Sequence, residues 1–185
     1  MVPVESDTAL VMGIKSGDKQ ALARLVEKHK RLAYMTALGL VGNRDDAYDI
    51  SQEAFLRVYR SAKTFDQGQP FLPWFYTIIA NLCRTWLRKR KLAASRSLTV
   101  EEADYLLVNE ETPEQHIIAA ETSARLRAAL MKLPFDDREI ISLQHFRGMS
   151  YDEIAHVLGI PRGTVMSRLY YARKKLAKLM GHGDE

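Results

Sequence analysis

Cysteine is nearly absent. Cys83 stands alone among 185 residues, which excludes an intramolecular disulfide framework and any cysteine-based metal cluster. The five histidines, His29, His116, His145, His156 and His182, fall at no metal-ligand spacing. Long apolar runs are missing too. The longest, near Leu32 to Val41, is too short and too interrupted to span a bilayer, so no membrane insertion is expected. The opening residues, MVPVESDTAL, are not basic and lead into no signal-peptide core. A reducing, cytoplasmic setting is the expectation. Strand-type alternation is scarce, whereas helix-period patterns recur throughout. No nucleophile cluster, metal site or phosphate loop appears, so neither an enzyme nor a cofactor is expected.

What is present is an all-α pattern with an ordinary hydrophobic content of 46% and a formal net charge of +4. The basic balance leans toward a nucleic-acid partner. Asp7 is placed to cap a short first helix ended by Ser16-Gly17. Asp18 is placed to cap a longer one to about Leu40, which Gly42-Asn43 breaks. A third helix is expected from about Arg44 to Ala62. A fourth runs to about Leu92, with Pro70 and Pro73 in its lead-in or first turn. Periodicity then fades. Glu101, Glu102, Asp104, Glu110, Glu111 and Glu114 form an acidic block without Lys or Arg, which reads as a linker. Helical patterning resumes near Pro113 and continues to about Met180, broken at Leu133-Pro134 and Gly148. Asp136 with Glu139 repeats a capping pattern. The expected architecture is two small helical domains, 1–92 and 113–185, joined by an acidic linker over 93–112.

The stretch SYDEIAHVLGIPRGTVMSRLYYARKK, from Ser150 to Lys175, reads as a helix-turn-helix. Ser150 and Glu153 form an S-x-x-E capping box. Ile154, Ala155 and Leu158 give the first helix an apolar face, and the small Ala155 permits close crossing. Gly159 ends it with a backbone conformation that only glycine adopts cheaply. Pro161 suits the opening of the second helix. Val165 and Leu169 then face inward, with Arg162, Thr164, Met166, Ser167 and Arg168 outward. From Arg162 to Lys178 the charged residues are all basic. A helix-turn-helix of this charge points to duplex DNA, its second helix in the major groove.

Two further constellations stand out. Phe65, Phe71, Trp74, Phe75 and Tyr76 precede Asn81, Arg84, Trp86, Arg88, Lys89, Arg90 and Lys91. Aromatic faces beside cations suit single-stranded nucleic acid, although Trp74, Phe75 and Ile78 equally suit a core. In DDAYDISQEAFLRVYR, Asp45, Asp49, Gln52 and Glu53 line one helix face and Ala47, Ile50, Ala54 and Val58 another. An acidic face on a DNA-binding protein suggests a protein contact. An ordinary solvated face, with acids favoured near the helix N-terminus, explains it as well.

The run DAYDISQEAFLRVYRSAKTF…FLPWFYTIIANLCRTWLRKRK resembles region 2 of sigma-70-type RNA polymerase sigma factors. The run LMKLPFDDREIISLQHFRGMSYDEIAHVLGIPRGTVMSRLYYARKKL resembles region 4. The pair, in this order, is similar to the extracytoplasmic-function (ECF) group. The resemblance implies an alternative sigma factor, in which Asp49, Gln52 and Glu53 bind the clamp helices of the largest subunit of core RNA polymerase. It implies that Phe65, Gln67, Phe71, Trp74, Asn81, Arg84 and Arg88 engage the melted −10 strand. It assigns the −35 duplex of promoter DNA to Arg162, Thr164, Ser167, Arg168 and Arg173, and the polymerase flap to the same region. It also implies an anti-sigma factor as a partner. The chain departs from related recognition helices at Met166 and Tyr171, where a basic residue is frequent. Fully extended, Leu92 to Gln115 reaches about 80 Å, enough to bridge elements more than one helical turn of about 34–36 Å apart. A stand-alone helix-turn-helix regulator is the alternative; it leaves the aromatic-basic segment and the acidic face unused.

Overall fold

A computed structural model describes residues 5–94, 124–145 and 149–181, and these residues contain no strand. The elements are α1 (Asp7–Lys15), α2 (Lys19–Val41), α3 (Arg44–Ser61), a 3-10 turn (Ala62–Thr64) and α4 (Phe71–Ala94). Residues 124–132 are helical and form α5. Then come α6 (Phe135–His145), α7 (Tyr151–Leu158) and α8 (Arg162–Leu179). The acidic linker and the expected helix start near Pro113 lie outside the described residues. No described helix is long and apolar enough to cross a membrane.

Local chemistry sets the helix ends. The Asp18 carboxylate accepts from the backbone N–H of Gln20 and caps α2. Asn43 caps α3 by accepting from Asp46. The cap of α1 differs from expectation. Ser6 takes that position and accepts from Ala9, while Asp7 lies one residue inside the helix. The displaced Asp7 carboxylate instead meets Lys28 Nζ at 2.7 Å and His29 Nε2 at 2.8 Å, tying α1 to α2. Burial, the largest single influence, raises the Asp7 pKa, but the bonds and charges of Lys28 and His29 outweigh it and hold the carboxyl below its ordinary value. The same two helices cross closely at Gly13, where an added Cβ would sit 2.9 Å from Ala21 Cβ.

The core runs through both halves of the chain. Leu25, Ala33, Leu40, Ala54, Val58, Phe75, Ile79 and Cys83 from α2, α3 and α4 join Ile140, Leu143, Ile154 and Val165 from α6, α7 and α8 in one cluster. Packing of α2 on α6 and of α4 on α7 makes the connection. Each large side chain buried here contributes about 1.5–3 kcal/mol of hydrophobic stabilisation.

Candidate functional site

The helix-turn-helix is built as its sequence predicts. Ser150 N–H donates to Glu153 Oε2 at 2.6 Å, and Glu153 N–H donates to Ser150 Oγ at 3.2 Å. Gly159 ends α7 in the left-handed region, φ 63°. Ile154, Val165, Leu169 and Ala172 are buried, which fixes α8 against α6 and α7. Arg162 and Ser167 are exposed and Thr164 is half-buried.

One arginine is placed differently from expectation. Arg168 does not point freely outward; it turns toward α6, 3.6 Å from Asp136. Arg173 donates to Gln144 of the same helix. Lys175 donates to Asp137 at 2.6 Å. Asp136 and Asp137 of α6 draw Arg168 and Lys175 to one edge of α8, and Gln144 holds Arg173 at the other. Met166, Tyr170 and Tyr171 are large hydrophobic side chains left exposed on the same helix, and periodicity alone did not single them out as a group.

The aromatic segment divides in two. Phe65 and Phe71 are each only 3% exposed, so they are core residues here rather than surfaces for bases to stack on. Their rings pack with Trp74, Phe75 and His29: Phe65–Trp74 centroids lie 4.9 Å apart, Phe71–Phe75 5.2 Å and Phe71–His29 5.3 Å. An apolar ring between a turn and a helix is drawn inward by its own hydration cost. Trp74 keeps one side in solvent, and Gln67 is exposed on the preceding turn. Along α4, Trp74, Asn81 and Arg88 repeat every seven residues and so share a face. Asn81 and Arg88 are exposed. Arg84 lies beside them and donates to Asn81 Oδ1 at 3.1 Å.

Arg84 also reaches across to α6, where it donates to Glu139 Oε1 at 2.6 Å. Its guanidinium carbon lies 5.2 Å from the Phe135 ring centroid. Glu139 is therefore no partner in a capping pair with Asp136; the opening N–H groups of α6 use the Pro134 carbonyl instead. Burial pushes the Glu139 carboxyl pKa up, and Arg84 opposes that push.

On α3, Asp49 and Gln52 are exposed. Glu53 is half-buried and meets Arg57 at 3.4 Å and Arg60 at 3.3 Å on its own helix. Helical spacing continues the Asp45–Asp49–Gln52 stripe through Leu56 and Tyr59, and both are exposed, as is neighbouring Tyr48. The face is acidic toward its N-terminus and apolar toward its C-terminus. Sequence reading found the first half only. The signal for the second is that Leu56 and Tyr59 fall off the Ala47–Ile50–Ala54–Val58 stripe.

Residues 25–93 match Sigma-70 region 2, and residues 123–176 match Sigma-70, region 4. The RNA polymerase sigma-H factor of Pseudomonas aeruginosa is 32% identical over 186 residues, covering 97% of this chain and 96% of that protein. The ECF RNA polymerase sigma factor SigW of Bacillus subtilis is 32% identical over 173 residues, covering 89% and 91%. The chain belongs to the ECF sigma factors of the sigma-70 family. This sigma factor is an alternative one that directs promoter-specific transcription initiation. Its fold is similar to that of CnrH, solved in complex with the cytosolic domain of CnrY, with a TM-score of 0.67, 25% identity and coverage of 96% and 99%. Sigma factor residues that the two region matches leave out include most of the acidic linker and α1.

Proposed function

We propose that this sigma factor divides promoter recognition between its two halves. The α3 face carrying Asp49, Gln52 and Glu53 docks on the clamp helices of core polymerase. The solvent side of α4, with Trp74, Asn81, Arg84 and Arg88, together with Gln67, holds the unstacked −10 strand. Phe65 and Phe71 support that surface from beneath. Unstacking a base costs a few kcal/mol, which stacking and edge hydrogen bonds must offset. Helix α8 enters the −35 duplex, with Ser167 on its outward face and Arg162, Thr164, Arg168 and Arg173 at its edges and N-terminus. The carrying observation is α8 itself: a capped, glycine-turned helix-turn-helix whose described solvent face has cations and no acid.

The chain supplies specificity and no catalytic step; the polymerase performs the chemistry in the cytoplasm. Arg84 serves the −10 strand only after releasing Glu139, so the compact arrangement is a resting form. An anti-sigma protein is the expected regulator, by analogy with CnrH and the cytosolic domain of CnrY. Run-off transcription with purified core polymerase and this protein on a genomic template library tests the reading. Specific transcripts sharing two upstream elements support it. A palindromic footprint without polymerase, and no transcripts, counts against it.

A further inference from the structure

Helical spacing sorts the side chains of α8 into three sets. Val165, Leu169 and Ala172 are buried. Cations flank that buried face, with Arg162 and Arg173 on one side and Arg168 and Lys175 on the other. Their positions are fixed by α6 and α7: Arg168 to Asp136, Lys175 to Asp137, Arg173 to Gln144 and Arg162 to Asp152 at 3.7 Å. The third set lies beyond those cations, with Met166 next to the Arg162–Arg173 edge, and is uncharged from Gly163 to Tyr171; exposed Lys174 follows it one turn on. Met166 is 54% exposed, Tyr170 62% and Tyr171 61%. The two tyrosine rings meet edge-on at 5.3 Å. Ser167, between them, spends its hydroxyl proton on the carbonyls of its own helix, Gly163 at 3.3 Å and Thr164 at 3.1 Å.

Large apolar side chains clustered in water mark a contact surface. Charge identifies the occupant. Cations along both edges suit the two phosphate backbones that border a major groove, and the strip between them suits base edges on its floor. Guanine is read there by Arg or Lys, and adenine by Asn or Gln. From Gly163 to Tyr171 the strip has neither kind. What it offers is apolar surface, and the apolar feature of the major groove is the thymine 5-methyl group.

We propose that Met166 and Tyr170 read thymine methyl groups in the −35 duplex, so that this factor specifies its upstream element by apolar contact rather than by arginine–guanine pairs. The inference rests on the assignment of α8 to the −35 duplex.

The test uses core polymerase with the full chain. Run-off selection from templates randomised upstream defines the −35 element. Each thymine of the selected element is then replaced by deoxyuridine, which removes only the 5-methyl group. Promoter binding is expected to weaken about fourfold at one or more of these thymines, the worth of one buried methyl. Met166→Ala or Tyr170→Ala should bind thymine and deoxyuridine alike at the affected position, while Met166→Leu keeps the difference. Met166→Arg should move the preference at its contacted pair toward guanine. A −35 element indifferent to deoxyuridine overturns the inference and leaves α8 on the duplex. So does a full deoxyuridine penalty in both alanine variants. Selection that returns no upstream element overturns the placement of α8 as well.

Discussion

Arg84 on α4 holds Glu139 on α6 with one terminal nitrogen, 2.6 Å from one carboxylate oxygen and 2.5 Å from the other. Its second terminal nitrogen donates to Asn81. Beneath the pair, the Tyr76 hydroxyl donates to the Glu139 backbone carbonyl at 3.2 Å. These bonds join the half that carries the proposed −10 surface to the half that carries the helix-turn-helix. They also turn the Arg84 guanidinium toward α6 and away from solvent on that side.

Breaking the pair from the cationic side leaves a buried carboxylate without its counter-charge. A fully buried pair broken this way costs about 3–5 kcal/mol. Arg84 is 44% exposed, so Arg84→Ala is expected to cost less, about 1–3 kcal/mol, because water takes over part of its work. Urea unfolding measures it. Arg84→Met combined with Glu139→Leu should recover most of the loss, since an apolar pair carries no desolvation penalty. A combined variant no more stable than Arg84→Ala would mean that the destabilisation has another source.

The same carboxyl sets a pH dependence. Burial raises the Glu139 pKa; Arg84, and more weakly Arg168, oppose this, and Asp136 adds to it. A raised carboxyl favours the folded state while protonated, so its contribution is full below the ordinary glutamate pKa and lost as pH rises through its raised value. Without Arg84 the pKa climbs further. The stability gap between wild type and Arg84→Ala should therefore widen from acid toward neutral pH. Asp7 has the opposite sign: its carboxyl is lowered, and its contribution, present above the ordinary aspartate pKa, is lost as pH falls through the lowered value. Asp7→Asn should narrow its gap to wild type in acid. Urea midpoints across pH separate the two, and a gap for Arg84→Ala that shrinks toward neutral pH contradicts the first.

Cys83 reports on this junction. It is buried, and burial chiefly, with the nearby Glu139 charge, pushes its thiol up to about 12. The thiolate is the reactive form, so native alkylation should be slow and proceed only through opening. Arg84→Ala is expected to speed labelling about tenfold, the effect of roughly 1.4 kcal/mol off the opening free energy. Substitutions at Asp49 should leave the rate unchanged. Equal acceleration by both would show that labelling follows global unfolding rather than the α4–α6 contact.

Phe71 and Trp74 should part company. Phe71 is buried among Phe65, Phe75 and His29, so Phe71→Ala should cost about 3–5 kcal/mol of stability. Trp74 is half-buried, so Trp74→Ala should cost less and chiefly impair strand opening. Urea unfolding beside a fluorescent base at the −10 element separates the effects. A stable Phe71→Ala protein that fails only in opening would return Phe71 to the DNA surface.

The division between these rings shows where sequence reasoning stops. Caps and breaks were legible at Asp18, Gly42, Asn43, Ser150 and Gly159 because each depends on a few neighbouring backbone groups. The inward positions Val165 and Leu169 followed from helical period. Asp7 failed because Ser6 competes for the same cap and α2 offers Lys28 and His29. Glu139 failed because its partner Arg84 is distant in sequence, and periodicity carries no information about that distance. Arg168 failed for the same reason: its angle on α8 lies between outward and inward, and Asp136 on another helix decides it. Aromatics beside cations were recognised as a group, but which rings turn inward depends on the space between α2, α3 and α4.

The acidic face of α3 yields the last prediction. Asp49→Lys with Glu53→Lys reverses two charges on a surface assigned to the clamp helices, and like-charge juxtaposition across an interface costs several kcal/mol. Core affinity should fall roughly a hundredfold or more. Folding should survive, because Asp49 is exposed and the Glu53 contacts with Arg57 and Arg60, on largely exposed side chains, are worth about 1 kcal/mol at most. Competition binding to core polymerase and urea unfolding measure the two separately. Leu56→Ala and Tyr59→Ala extend the test along the same stripe. Their side chains are exposed, so a loss of core binding without loss of stability would place the apolar half of α3 in the docking surface. Normal core affinity in the double lysine variant would remove α3 from it altogether.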